Sequence, residues 1–545
     1  MKRTLKILLC AFIGVTAMTF SGCFWLIAGP ANPYPEQSEP EHKHEYVEKI
    51  TKAPDCLETG VKSFDCSCGD SYTEEIPTIV HDYQNGVCSM CKKSVSVGLS
   101  YTLSGDKKSY TVSGIGTCTD TEIIIPETYE KLPVTSIGEQ AFKDCENLTS
   151  VDIPNSVTDI NQFVFYGCKN LKSVKIPNSV TYIGRSSFYG CVYLTDVKIP
   201  NKVKYITESL FENCSGLTNV DIPNSVTEIR ASAFSRCVNL KSINISNSVT
   251  AINKSAFSGS GLASINIPDS VTSIGVPAFY SCTHLESITV DTSNENYKSI
   301  DGNLYTKDGK TLIQYAIGKT EKSFTIPNGV TRIESYAVTW SNLKEMFIGG
   351  DVKSVGADAF SFNDSLVRVT FGDSVTSVED RAFYGCGSLA TVVIGSGLTK
   401  LDLGAFGATA LAEITVNINN PVYCSLDGNL YSKDLKTLIR YAEHKEEATF
   451  EIPEGVERIE SGAFHMSPNT HSVILPVSLK SIGIDAFDFA SVSGVEFQVK
   501  VGWEAVNKDG ETVFLDSEDL SDDYKAANYL KETYNAYEWK KVLFE

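Results

Sequence analysis

Basic residues are scarce in this chain of 545 residues: 47 lysines and arginines face 67 aspartates and glutamates, a formal charge of -20. Nucleic-acid phosphates demand clustered positive charge, so an acidic balance of this size excludes a nucleic-acid partner. Histidine is rarer still, with seven copies. Three sit close together near the N-terminus, and His284, His444, His465 and His471 are scattered at exposed-looking repeat or loop positions. No G-x-S-x-G elbow and no H-E-x-x-H pair occurs, so a hydrolase triad and an open catalytic zinc site both lack an anchor. The chain therefore reads as non-catalytic. The apolar run from Ile7 to Phe20 is shorter than the roughly 20 residues a membrane helix needs. Even so, 42% hydrophobic and 21% charged residues are enough to build a core.

The N-terminus has the layout of an export signal. Lys2, Arg3 and Lys6 precede the apolar run, and Ser21-Gly22-Cys23 follows it. The stretch Phe20-Ser21-Gly22-Cys23 resembles a bacterial lipobox. That resemblance implies a signal peptide over 1–22 and acylation of Cys23, which would tether the exported chain to a membrane. Residues 29–44 then carry four prolines and no apolar periodicity. They place a flexible, extended tether over 23–41.

The rest of the chain is dominated by repetition. Aligned on IPNSVT, strand ends fall at Ile153, Ile176, Ile199, Ile222 and Ile245, each 23 residues apart. A fixed period of this size is the signature of a solenoid. Within LTSVDIP, the apolar Leu148, Val151 and Ile153 alternate with Ser150 and Asp152, the pattern of a strand with one face buried. Pro154 has no N–H and ends the ladder. A phenylalanine recurs once per unit, at 142, 165, 188, 211, 234, 257, 279, 360, 383, 406, 464 and 487. One ring per coil predicts a continuous internal spine, because no single unit can bury its own apolar face.

Three residues after the spine ring stand Cys145, Cys168, Cys191, Cys214, Cys237, Cys282 and Cys386. Other units place Ser260, Ser341, Asn363, Thr409, Ser467 or Ala490 there. A metal ligand or disulfide partner could not be exchanged so freely, whereas a small buried residue can. Equivalent Cβ atoms in stacked coils lie about 5 Å apart, and a disulfide wants about 3.8 Å. These cysteines are expected to be inert, buried thiols.

Two units carry matching insertions. The interval from Val290 to Ile326, and from Val416 to Ile452, is 36 rather than 23. Both contain the same text, SIDGNLYTKDGKTLIQYA at 299–316 and SLDGNLYSKDLKTLIRYA at 425–442. Asp-Gly between strand-like runs predicts a β-hairpin. The expected architecture is thus a β-rich solenoid of about 16 coils with two hairpin insertions.

The pattern IP-x-SVT-x-I-x-x-x-AF-x-x-C-x-x-L, carried from residue 99 onward, resembles the BspA-like leucine-rich repeat family of bacterial surface proteins. The resemblance implies a leucine-rich repeat array over 99–500, exported and used for adhesion or for binding an extracellular protein or glycan. It also fits the tail, residues 501–545, as a capping element. There Leu520, Ala526, Ala527, Tyr529, Leu530, Tyr537 and Trp539 can pack as a helix-containing closure. The outward strand residues form rows, and Ser173, Lys175, Asp196, Lys198, Asn219 and Asp221 are the candidate ligand contacts. A surface spacer that displays another module is the competing reading, and a part in an extracellular enzyme system is a third.

Residues 42–93 differ from the array. Cys66-Ser67-Cys68 and Cys88-Ser89-Met90-Cys91 lie about 20 residues apart and suggest a zinc-ribbon-like module, in which structural zinc stabilises a unit too small for its own core. His44, Cys56 and His81 are alternate ligands, and His44, Cys56, Cys66 and Cys68 form a second possible set. Disulfides compete with zinc outside the cell, although five cysteines leave one without a partner.

Overall fold

Alternating apolar residues need a second surface to cover them, and in this protein the next repeat supplies it. The computed structural model describes residues 45–55, 60–76, 83–84 and 87–542. The export signal, Cys23, the proline-rich tether, His44, Cys56 and His81 lie outside the described residues. The chain divides between Ile79 and Val80, within the stretch 42–93. In the smaller unit, β1 (Tyr46–Lys52), β2 (Gly60–Cys66) and β3 (Ser71–Ile76) form an antiparallel sheet in that order. Phe64 stacks on Tyr72 at 4.7 Å.

The larger unit is a leucine-rich repeat β-solenoid of about 17 turns with almost no helix. Each coil runs along an outer strand and returns through a shorter one. Outer strands pair in parallel and in register, as in Ser150↔Ser173, Val151↔Val174 and Asp152↔Lys175. Return strands do the same, as in Asp159↔Tyr182 and Ile160↔Ile183. Between Asp196 and Asn244 the outer ladder thins to the single bridges Asp196↔Asn219 and Asp221↔Asn244.

The spine expected from the phenylalanine spacing is present. Neighbouring rings from Phe142 to Phe279 stack at 5.3 to 5.8 Å, and Phe188 is fully buried between Phe165 and Phe211. Two residues before and two after the ring, the backbone turns left-handed, as at Ser186 (φ 53°) and Gly190 (φ 71°). These turns aim backbone groups at the next coil: the Phe165 N–H donates to Ser187 O at 2.8 Å, and the Phe188 N–H to Leu210 O at 3.0 Å.

The insertions are three-stranded meanders, one strand more than the predicted hairpin. Tyr297–Ile300 pairs with Asn303–Thr306 through Asp301-Gly302, both left-handed as a two-residue hairpin turn requires. Thr311–Gln314 then pairs back on Asn303–Thr306 and joins the return ladder through Leu312↔Ile333. The second insertion repeats every step. Each insertion interrupts the phenylalanine stack and substitutes a tyrosine: the Tyr315 N–H donates to Ala337 O, the Tyr441 N–H to Ala463 O, and Tyr441 stacks on Phe464 at 5.0 Å. The apolar interior accordingly falls into three successive cores, bounded near Leu304 and near Ala442.

The cap closes the last core. Glu538–Lys541 pairs antiparallel with the final return strand, Ile482↔Trp539, and so ends the parallel ladder. Helix α1 (Asp523–Asn528) begins at Asp522, whose carboxylate accepts from the Tyr524 and Lys525 N–H groups. Its Ala526 and Ala527 are buried in the last core together with Leu520, Leu530 and Trp539.

The insertions differ in one buried place. Where the first has Gln314 and Ile317, the second has Arg440 and Glu443, paired at 2.7 Å with side chains 9% and 1% exposed. Arg440 also donates to Phe406 O at 3.0 Å, and Thr409 Oγ1 to Glu443 at 3.1 Å. Arg440 Nε and Glu443 Oε2 have no partner among the described residues. Removing one member of a buried pair strands the other charge and costs about 3–5 kcal/mol, whereas replacing both is often neutral or stabilising. Arg440→Ala or Glu443→Ala should therefore lower the urea midpoint sharply. The double change Arg440→Gln with Glu443→Ile, copied from the first insertion, should leave it near wild type.

Candidate binding surface

The residues singled out as ligand contacts lie on one face of the array. Ser173 and Lys175 belong to an outer strand, and Ser173, Asp196, Lys198, Asn219 and Asp221 are exposed, with Lys175 half-buried. Their alternation with buried Val174, Val197 and Val220 fixes that outward direction. Parallel register sets Ser173 beside Ser150 and Lys175 beside Asp152, and the bridges carry the order on through Asp196, Asn219 and Asp221. The result is a registered field of hydroxyl, amide and charged groups.

Further along, the same face changes character. In register run Thr325, Phe347, Thr370 and Val393, and Phe347 is 59% exposed. Its ring lies where a Cβ on Gly349 would come within 2.3 Å. Gly349, Gly372 and Gly395 occupy the strand ends where earlier coils have Pro154, Pro177 and Pro200. Sequence reasoning passed over Phe347. The signal was its place at an outward position beside the proline-to-glycine change.

The thiol ladder is buried, as expected. From Cys168 to Cys386 each member is fully enclosed and unbridged, while Cys145, in the first coil, is half-buried. Each buried thiol also donates to a spine carbonyl one coil back: Cys168 to Phe142 O at 2.9 Å, Cys191 to Phe165 O at 3.2 Å, and Cys386 to Phe360 O at 3.1 Å. Asn363 Nδ2 reaches Val338 O in the same way at 2.9 Å. Thr409 and Ser467 donate instead to the ring carbonyl of their own coil, Phe406 O at 2.9 Å and Phe464 O at 2.8 Å, while Ser341 Oγ has no partner among the described residues, so the position requires small size more than one fixed bond. Burial pushes the Cys168 and Cys386 thiols up to about 12 and Cys282 to about 11.

A model of the BspA type leucine rich repeat region matches residues 116–239, 204–310, 315–424 and 441–522, more than half of the chain. The chain belongs to this BspA-type leucine-rich repeat family. Three solved structures are similar to it. A leucine rich cell surface protein from Faecalibacterium prausnitzii is 26% identical over 75% of this chain and 96% of its own, with a TM-score of 0.48. The pneumococcal vaccine antigen PcpA is 20% identical over 70% and 92%, at 0.46. A leucine-rich repeat protein from Bacteroides ovatus is 24% identical over 73% and 93%, at 0.45. Comparison with curated proteins finds no match.

Outside the repeats of this family member, each cysteine pair sits on a tight turn of common design. The Cys66 N–H donates to Asp70 O at 2.8 Å and left-handed Gly69 follows Cys68. The Cys88 N–H donates to Lys93 O at 2.8 Å and left-handed Lys92 follows Cys91. The Cys66 side chain hydrogen-bonds Cys68 and raises its thiol pKa. Among the described residues no group of three or more His, Cys, Asp and Glu side chains is poised to hold a metal. Cys66 and Cys68 belong to the smaller unit, Cys88 and Cys91 to the larger. Of the scattered histidines, His444 and His465 are half-buried rather than exposed: His444 Nδ1 is enclosed, and His465 Nδ1 lies 3.8 Å from Asp488.

Thiolate is the reactive form of cysteine, and burial suppresses it here. Native protein treated with a maleimide should leave Cys168, Cys191, Cys214, Cys237, Cys282 and Cys386 unlabelled, and urea should expose all six together. Peptide mapping by mass spectrometry reads the outcome. Rapid native labelling of any of them would contradict the enclosed ladder.

Proposed function

We propose that this protein is displayed at a bacterial cell surface, acylated at Cys23, and works as a non-catalytic adhesin that binds an extracellular protein or glycan through its outer strand face. The observation that carries the reading is the registered field of outward groups around Ser173, Lys175, Asp196, Lys198, Asn219 and Asp221. Repetition places hydrogen-bonding groups at strand spacing over a long surface, which suits an extended partner better than a small molecule. The export signal supports an extracytoplasmic setting. Binding of the full chain to immobilised matrix proteins and oligosaccharides tests the reading. Saturable binding that falls when Ser173, Lys175 and Lys198 are replaced together by alanine supports it. Binding that survives places the contact elsewhere, and absence of any partner favours a surface spacer.

Structural zinc at the cysteine turns is a second proposal. Two turns of like design, each with a left-handed residue after its second cysteine, present thiols of the kind zinc prefers. The ligand set is drawn from Cys66, Cys68, Cys88 and Cys91, with His44, Cys56 and His81 as alternates. When bound, the ion would stabilise the fold of the turns and take no part in chemistry. Purified full chain should contain stoichiometric zinc by elemental analysis and lose it when Cys88 and Cys91 become serine. Metal-free protein with a complete set of disulfides would sink this proposal.

A further inference from the structure

In each regular coil, the backbone two residues after the spine ring turns left-handed. Glycine fills that position at Gly167, Gly190, Gly259 and Gly385, and small or polar residues fill it at Asp144, Asn213, Ser281 and Ala408. Arg236 and Met466 are larger exceptions, and three coils carry an aromatic residue there: Phe489 (φ 53°), whose ring meets His465, and the consecutive pair Trp340 (φ 62°) and Phe362 (φ 58°). Bulky side chains rarely adopt this conformation, and holding one there costs free energy.

The two rings stack at 4.9 Å with planes 14° apart. Phe362 is seated from behind, because its ring lies where a Cβ on Gly385 would come within 2.8 Å. Trp340 is 38% exposed and heads the row. The layer before it comes from the first insertion, where Tyr315 bonds to Ala337 and residues 314–318 contain no left-handed turn. The indole thus has Phe362 on one face and no second ring partner among the described residues. The two coils after the second insertion place Met466 (φ 57°) and Phe489 (φ 53°) at the matching positions, so covering the step calls for bulk but not for an indole stacked on a second ring.

Polar groups accompany the rings. Arg381 Nε bonds Asp358 Oδ1 at 3.2 Å, and its guanidinium lies 4.2 Å over the Tyr384 ring. Tyr384 meets Phe362 edge to face at 5.8 Å. Tyr336 occupies the other left-handed position of the Trp340 coil, and burial and the Asp358 carboxylate together raise its phenol pKa.

We infer that this turn face is a binding site for a neutral saccharide, with Trp340 as its stacking platform. The inference rests on the binding reading above but moves the site away from the outer strands. A backed indole accepts the C–H face of a sugar ring, while the Arg381–Asp358 pair and the tyrosine hydroxyls match its hydroxyl groups; binding sites commonly join apolar faces with a few placed polar groups. The Arg381 guanidinium is already paired, and the chain carries a charge of -20, so sialylated and sulfated sugars are disfavoured. Nucleobases could stack on the same ring, but the phosphates they bring are repelled.

The test uses full-length chain and two variants, Trp340→Gly and Phe362→Gly. Glycine occupies the equivalent position in four other coils, so both variants should melt no lower than wild type. The probe is an array of neutral hexose and N-acetylhexosamine oligomers beside sialylated and sulfated oligosaccharides and immobilised matrix proteins. Saturable binding to neutral oligomers, a shift in indole fluorescence on adding them in solution, and loss of both in each variant are the expected results. Neutral-sugar binding that is undiminished in Trp340→Gly overturns the site. Binding confined to anionic sugars overturns the ligand class. Protein binding lost in the variants without any sugar signal makes the patch a protein hot spot instead. Protein binding that depends on Lys175 and Lys198, with no sugar signal, overturns this inference and leaves the proposed function standing, whereas silence on every probe sinks both.

Discussion

A coil of this protein cannot bury its own phenylalanine, and most of the structure follows from that. The ring needs a neighbour on each side, so coils must stack at ring-to-ring distance. Stacking at 5.3 to 5.8 Å brings backbone groups on the turn face within hydrogen-bond reach, provided the chain turns left-handed on both sides of the ring. The thiol three residues later then satisfies the carbonyl of the ring one coil back. Spine, left-handed turns and cysteine ladder are thus one arrangement.

The same constraint governs where the repeat can be interrupted. An insertion separates two coils and would expose a ring on each side. Both insertions meet this by sending Tyr315 or Tyr441 into the gap and by feeding a strand into the return ladder. Both ladders nevertheless break at each insertion: the return strands stop at Ser273–Ile274 and at Lys400–Leu401, a new return sheet starts with each insertion's own strands, and the interior breaks into three cores.

Features that recur in every coil were legible in the sequence. The strand alternation, the ring spine and the burial of Cys168 to Cys386 each leave a mark every 23 residues, and the leucine-rich repeat solenoid is therefore readable without coordinates. The Asp-Gly turns of the insertions were legible as well, because only a few residue types accept two consecutive left-handed conformations. The third strand of each insertion was not, since Thr311–Gln314 pairs with residues on both sides and its local pattern does not announce the parallel partner. The donor role of the thiols also escaped, because the accepting carbonyl lies 26 residues away. On the candidate surface, the polar rows could be read from period two alone. Trp340 and Phe362 could have been found by aligning the coils on their glycines and asking which neighbouring units put aromatic residues there.

The two insertions also show which parts of a repeat may vary. Their exposed turns are nearly identical, yet the buried Gln314 and Ile317 of the first become Arg440 and Glu443 in the second. A buried charge is tolerated only when its partner changes with it, so the interior varied here in a coupled step. On the surface the reverse holds. Arg332 bridges Glu334 and, two coils on, Glu379. Arg458 bridges Glu460 and then Glu538, which belongs to the cap. Such exposed pairs contribute little stability each, at most about 1 kcal/mol. Their value as evidence is geometric. The cap places a carboxylate where the next coil but one would have placed it, while its strand runs antiparallel to the ladder it closes. The last coils therefore meet a surface that imitates a continuing array in charge and in hydrogen bonding, yet offers no parallel edge for another coil to extend.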